Sequence, residues 1–157
     1  MTVITADDVK VVRDLKRHEG FRHKPYKDSL GIWTIGWGSN MFDLSVQEWV
    51  QVCKMKGEPT GGLSKLQCKV FLTHDIMREL DFLKRYRWFG GLSNNQQRAL
   101  LEMVYQLGQG SFRGFRRMLR NLREGNLHLV SSSMENSLWA RQTPVRVAHC
   151  VNLWNSH

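Results

Sequence analysis

Hydrophobic and polar positions divide the chain into a short helix, an aromatic-rich stretch and a long run of helices. Val9, Val12 and Leu15, with Lys16 beside them, recur at helical spacing and predict a first helix over residues 5–18. Thr5 with Asp8 makes a weak capping box, and Gly20 stands where glycine commonly closes a helix. Over residues 21–37 the pattern changes to aromatic and β-branched positions punctuated by Lys24-Pro25, Asp28-Ser29 and Gly31. That pattern predicts two or three short antiparallel strands. Alternation puts Trp33, Ile35 and Trp37 on one face, for packing, and Thr34 on the other with Gly36.

Helical signals follow. Ser45 and Glu48 open a short helix to about position 56, and the GEPTGG segment at 57–62 is the best boundary signal in the chain. Ser64 and Gln67 start a long helix to about position 85, with Leu66, Val70, Phe71, Met77, Leu80 and Leu83 as its apolar faces. Trp88-Phe89-Gly90-Gly91 breaks it. Ser93 and Gln96 cap a strongly apolar helix through Ala99, Leu100, Met103, Val104 and Leu107, ended by Gly108-Gln109-Gly110. Shorter helices are expected at 114–124, 130–141 and 144–154, the last with Thr143 as N-cap and Pro144 at its first position.

The expected fold is α+β: a small lobe with a short antiparallel sheet, a long connecting helix and a larger all-helical lobe. We expect one domain over 1–157, with lobes at about 16–62 and at 1–15 plus 63–157.

Composition sharpens this picture. A chain of 157 residues with 41% hydrophobic content and six tryptophans can bury a sizeable core and does not have a disordered composition. No apolar run approaches a membrane span, and the amphipathic start, acidic at Asp7-Asp8, lacks the apolar centre of a signal peptide. Synthesis in a cytoplasm without an export signal is expected. Cys53, Cys68 and Cys150 are widely spread without metal spacing, which suits free thiols in a reducing compartment. The formal charge of +9 favours an acidic partner. Nucleic-acid motifs are missing, so an anionic bacterial envelope is the better reading than nucleic acid.

Residues 19–40, EGFRHKPYKDSLGIWTIGWGSN, carry the candidate chemistry. They supply an acid at a helix end, a second acid in a turn and a threonine on a short strand. Taken singly, each has a structural reading: a solvated glutamate, turn chemistry at Asp28, and a β-branched strand residue. Together they match what glycosidic hydrolysis needs, a carboxylic acid for the leaving oxygen and a carboxylate to activate water on the opposite face. Glu19 at the negative end of its helix dipole suits the proton donor, while Asp28 and Thr34 suit the water. His18-Glu19 does not extend to a zinc motif, because Arg22 stands where the second histidine is needed.

The Glu-x8-Asp-x5-Thr spacing inside EGxxxxxYxDxxGxxTIGxG resembles the catalytic segment of the phage-type lysozymes, glycoside hydrolase family 24. MVYQLG at 103–108, GFRRML at 114–119 and WARQTPVR at 139–146 resemble that family's helical lobe, so the likeness covers nearly the whole chain in order. The resemblance implies a muramidase. It would cut the β-1,4 bond from N-acetylmuramic acid to N-acetylglucosamine in peptidoglycan lying between the lobes. Glu19 would be the general acid, Asp28 and Thr34 would position the water, and the anomeric centre would invert. It also implies that Tyr105, Gln106, Arg116 and Arg117 face sugar or peptide. A monomer needing no metal or organic cofactor is expected, released to the wall through a separately made membrane lesion. Ser39 departs from the family, where a histidine commonly follows the GxG, and this bears on local stability more than on activity.

Two rivals remain open. A lytic transglycosylase uses one glutamate and needs neither Asp28 nor Thr34. A non-catalytic membrane-perturbing protein could use residues 141–157 as a basic amphipathic helix.

Overall fold

The computed structural model describes residues 2–53 and 61–156. Asp8 alone starts the first helix: its carboxylate accepts the N–H groups of Lys10 and Val11, and α1 runs Val9–Glu19. Thr5 lies outside, in a segment whose Ile4 N–H donates to the Gln97 side chain at 2.9 Å. The buried face of α1 is Val11, Asp14 and Leu15, one position off the expected stripe, and Val9 is 79% exposed. Gly20 ends the helix at φ 68°, a conformation that glycine adopts without strain.

Three antiparallel strands follow in the order β1 (Arg22–Lys27), β2 (Trp33–Gly36), β3 (Ser39–Asn40). Tyr26 pairs with Thr34 and Lys27 with Trp33, while Ile35 pairs with Ser39. Lys24-Pro25 does not turn the chain as expected. It lies inside β1, at the sheet edge where proline's missing N–H is tolerated, and a register irregularity between Arg22 and Tyr26 accommodates it. Ile35 and Trp37 are buried as expected, but Thr34 and Gly36 are buried too and Trp33 is only half-buried, so burial does not follow the expected alternation.

Of the other expected capping boxes, those at Ser64 and Ser93 close fully and that at Ser45 closes in part. Ser45 and Glu48 are joined at 2.7 Å at the start of α2 (Val46–Cys53), whose expected extension to 56 lies outside the described residues, as does most of the 57–62 boundary segment. Ser64 and Gln67 bond reciprocally at the start of α3 (Lys65–Lys84). The face of α3 differs in part from expectation: Phe71, Leu80 and Leu83 are buried as expected, but Leu66, Val70 and Met77 are exposed, and Cys68, Leu72, Asp75 and Ile76 point inward.

The sheet is too small to fold alone. Two contacts fix it to α3. Gly36, at φ 68°, is seated so closely that an added β-carbon would lie 2.8 Å from the Cys68 β-carbon. The buried Ser39 hydroxyl donates to the buried Asp75 carboxylate at 2.7 Å. Burial pushes the Cys68 thiol up to about 11, with the Glu48 charge adding to it.

The chain divides into two compact units, Ala6–Asp75 and Met1–Thr5 with Ile76–His157. In the second, a full Ser93–Gln96 capping box starts α4 (Asn94–Arg113), which is broken at Gly108 (φ 81°). Then come α5 (Arg116–Glu124), α6 (Val130–Glu135), α7 (Leu138–Gln142) and α8 (Pro144–Asn155). The single helix expected over 130–141 is two, because Ser137 caps a fresh start through the Ala140 N–H. The core collects Phe89, Leu100, Met103, Val104, Phe112, Met118, Trp139 and Trp154. A buried ion pair, Arg146 to Glu102 at 3.1 Å, ties α8 to α4. Thr143 precedes α8 but caps nothing: its hydroxyl donates to the Trp139 carbonyl. No helix among the described residues is long and apolar enough to cross a membrane.

Ser39→Ala would leave Asp75 one buried hydrogen bond short, a loss of about 1.5–3 kcal/mol. Denaturant unfolding should show a lower midpoint at an unchanged slope; an unmoved midpoint would mean that the bond does not fasten the sheet.

Candidate active site

Helix α1 delivers Glu19 as its last residue, and the glycine turn after β2 receives it. A β-carbon built on Gly38 would stand 3.1 Å from Glu19 Oε2. Gly38 also has φ 81°, so backbone conformation and side-chain room both require glycine there.

Asp28 organises its own loop. Its Oδ1 accepts the N–H of Leu30 at 2.8 Å and of Ile32 at 2.9 Å, and its backbone carbonyl accepts the Gly31 N–H. Oδ2 has no hydrogen-bond partner among the described residues. The Ile32 carbonyl accepts twice, from the Asp28 N–H at 3.0 Å and from the Thr34 hydroxyl at 2.9 Å. That shared acceptor draws Asp28 and Thr34 together. Because the Thr34 proton is committed to Ile32, its oxygen can only accept from a further partner.

Tyr26 stands directly across the sheet from Thr34, so their side chains share a face. Burial raises the phenol's pKa; the Glu19 charge adds to this, the Arg22 charge opposes it and the Asp28 charge adds again. Both candidate carboxylates therefore act on one phenol. The Arg22 guanidinium lies 4.3 Å from the Tyr26 ring centre. Trp33 and Trp37 take cations on their faces too, from Lys27 and Lys16. Trp37 also packs on Phe21 at 4.7 Å.

The other candidates belong to the helical unit. Tyr105 is half-buried on α4. Gln106 has both ends of its amide engaged, accepting from Trp139 Nε1 at 2.7 Å and donating to Thr143 Oγ1 at 3.3 Å. Arg116 and Arg117 are exposed in the first turn of α5. Sequence reasoning missed Tyr26 and the seat that Gly38 makes for Glu19. The strand register could have pointed to Tyr26, two residues before Asp28. The Gly38 contact depends on where α1 ends in space.

A chain with this small sheet, glycine turn and helical remainder falls within a described family. The phage lysozyme family pattern matches residues 16–149, and the chain belongs to that family. It is thereby a lysozyme-type glycoside hydrolase. It is 26% identical over 159 residues to a probable T4-type lysozyme of Dictyostelium discoideum, covering 92% of this chain and 94% of that one. It is also 26% identical to the pre-baseplate central spike protein of Enterobacteria phage T4, but spans only 28% of that protein's length. A SAR-endolysin of Bacteriophage PS119 is 27% identical over 109 residues, which is 69% of this chain and 56% of that one.

Gly38→Ala should displace the Glu19 carboxylate and strain the turn. We expect a loss of at least about tenfold in turnover of soluble peptidoglycan, with destabilisation of roughly 1–2 kcal/mol from the positive φ. Full activity in the purified variant would remove Gly38 from the site.

Proposed function

We propose that the chain is an endolysin that hydrolyses the β-1,4 bond between N-acetylmuramic acid and N-acetylglucosamine, with inversion. The observation that carries this reading is the double acceptance at the Ile32 carbonyl. It ties both residues to one loop, in which Asp28 Oδ2 has no partner among the described residues and the Thr34 oxygen, its proton given to Ile32, can accept. A water that gives one proton to each turns a lone pair toward the anomeric carbon. Glu19 protonates the leaving oxygen as the glycosidic bond breaks, and the Asp28 charge stabilises the oxocarbenium-like transition state. Water attacks from the opposite face, its proton passes to Asp28, and a hemiacetal forms. Proton exchange with solvent then restores both carboxyl groups. Inversion requires the two carboxyl groups to stand roughly 6.5–9.5 Å apart, against about 5 Å for retention.

Tyr105, Gln106, Arg116 and Arg117 are assigned to sugar or peptide contact, with Gln106 acting through its hold on Trp139 and Thr143. Glu19, Asp28 and Thr34 come from one compact unit of one chain, so the catalytic set needs no second copy. Its route to the wall is a separately made membrane lesion. The anionic envelope is its partner, and α5 offers the matching surface. Arg116, Arg117, Arg120 and Arg123 are exposed on it, with Arg113 just before, and none makes a salt bridge to a described residue. The reading of residues 141–157 as a basic membrane helix loses support, because the arginine within α8, Arg146, is buried on Glu102.

Mass spectrometry of fragments released from purified peptidoglycan tests the reaction. Wild type should release muropeptides with ordinary reducing muramic ends, and Glu19→Gln should release at least about a thousandfold less, the scale of losing a general acid. Anhydro ends would mean transglycosylation, and persistent activity in the variant would end the enzyme reading. For the surface, Arg120→Glu with Arg123→Glu should weaken binding to intact envelope fragments and flatten its salt dependence. Turnover of soluble fragments should stay within about twofold of wild type, as exposed charges are largely screened by salt. Unchanged envelope binding would remove α5 from this role.

A further inference from the structure

We infer that the Tyr26 hydroxyl is a substrate contact, a neutral donor to a sugar oxygen of the bound glycan. This inference rests on the proposed function and names one more residue of the same site. Three observations carry it. Tyr26 lies directly opposite Thr34 in the β1–β2 register, which places its ring on the Thr34 face. The ring is half-buried and fixed from one side by the Arg22 guanidinium at 4.3 Å, so the phenol has a defined position. Its hydroxyl has no hydrogen-bond partner among the described residues, whereas a partly buried tyrosine usually finds one for its polar end.

The phenol is held on the Thr34 face, where burial first, and then the Glu19 and Asp28 charges against that of Arg22, raise its pKa. Those same charges, with burial, keep it protonated through neutral and mildly alkaline pH. It therefore has a proton to give and no protein group that takes it. The groups a peptidoglycan strand brings to such a site are ring hydroxyls, the glycosidic oxygen and acetamido carbonyls, all able to accept. The Glu19 proton must go to the leaving oxygen, so the two donors have different acceptors. Arg22 contributes by stacking, as a positioning residue.

The test is Tyr26→Phe, which removes the oxygen and keeps both the ring and its stack under Arg22. Assays on soluble peptidoglycan oligosaccharides should give a kcat/KM about tenfold below wild type, the scale of one hydrogen bond to the substrate. Its thermal midpoint should be unchanged. Tyr26→Leu, which also removes the stack, should lose more and melt lower. A kcat/KM within twofold of wild type for Tyr26→Phe would overturn the inference, as would a loss fully matched by a lower folded fraction. Glu19→Gln assayed in parallel separates the two readings. If it is inactive while Tyr26→Phe is normal, only the Tyr26 contact fails. If it is active, the hydrolase mechanism fails first.

Discussion

The small sheet depends on helix α3 for its position. Cys68 and Asp75 are seven residues apart, two turns along one face, and they take the two ends of a single glycine-rich turn. Gly36 rests on Cys68 at one end and Ser39 is bonded to Asp75 at the other. Gly38, between them, is where the Glu19 carboxylate lies. A sheet of three short strands has little apolar area of its own, so a rigid helix must supply the reference frame. The position of the Glu19 carboxylate depends on contacts made by its neighbours in the turn, with the Lys16–Trp37 contact tying α1 to the same place.

This arrangement explains what was legible in the sequence. The Asp28 loop is closed by bonds to residues two and four positions away, and Thr34 bonds two positions back. Such contacts are properties of the local pattern, and Asp28, Gly31 and Thr34 were readable from spacing alone. The capping boxes at Ser45, Ser64 and Ser93 were readable for the same reason, since each closes within three residues. The Ser39–Asp75 bond spans 36 residues, and no local pattern announces it. Ser39 could be read as a departure from the family, but not as half of a buried pair.

Helix existence was clearer than helix orientation. In α3 the apolar residues are spread around the cylinder, so Leu66, Val70 and Met77 looked as fit for the core as Leu72 and Ile76. Tertiary packing chose among them, and it put Asp75 inside because Ser39 was there to receive it. In α1 a shift of one position separates the expected stripe from the buried one, for a similar reason: Asp14 is buried and paired with Arg13, which apolar counting cannot register. Buried polar groups are where reading by hydrophobicity fails, and here they also fasten the elements together.

Polar residues of the helical unit divide into two kinds by the same logic. Gln106 looks like a candidate for ligand contact in sequence, yet its side chain bonds Trp139 of α7 and Thr143, and Arg146 likewise joins α8 to α4 through Glu102. Burying that ion pair requires strong mutual compensation, so its removal on one side would leave an uncompensated charge inside the unit. The arginines of α5 are the opposite case. They are exposed, lack ion-pair partners among the described residues and are carried on a helix whose Met118 and Leu122 pack inward. The net charge of +9 therefore acts outward from particular places. A basic residue that closes the fold contributes little to attraction at a distance, whereas an unpaired row on one helix face contributes its full charge within a Debye length. Where the arginines stand, more than how many there are, decides which surface attracts an anionic partner.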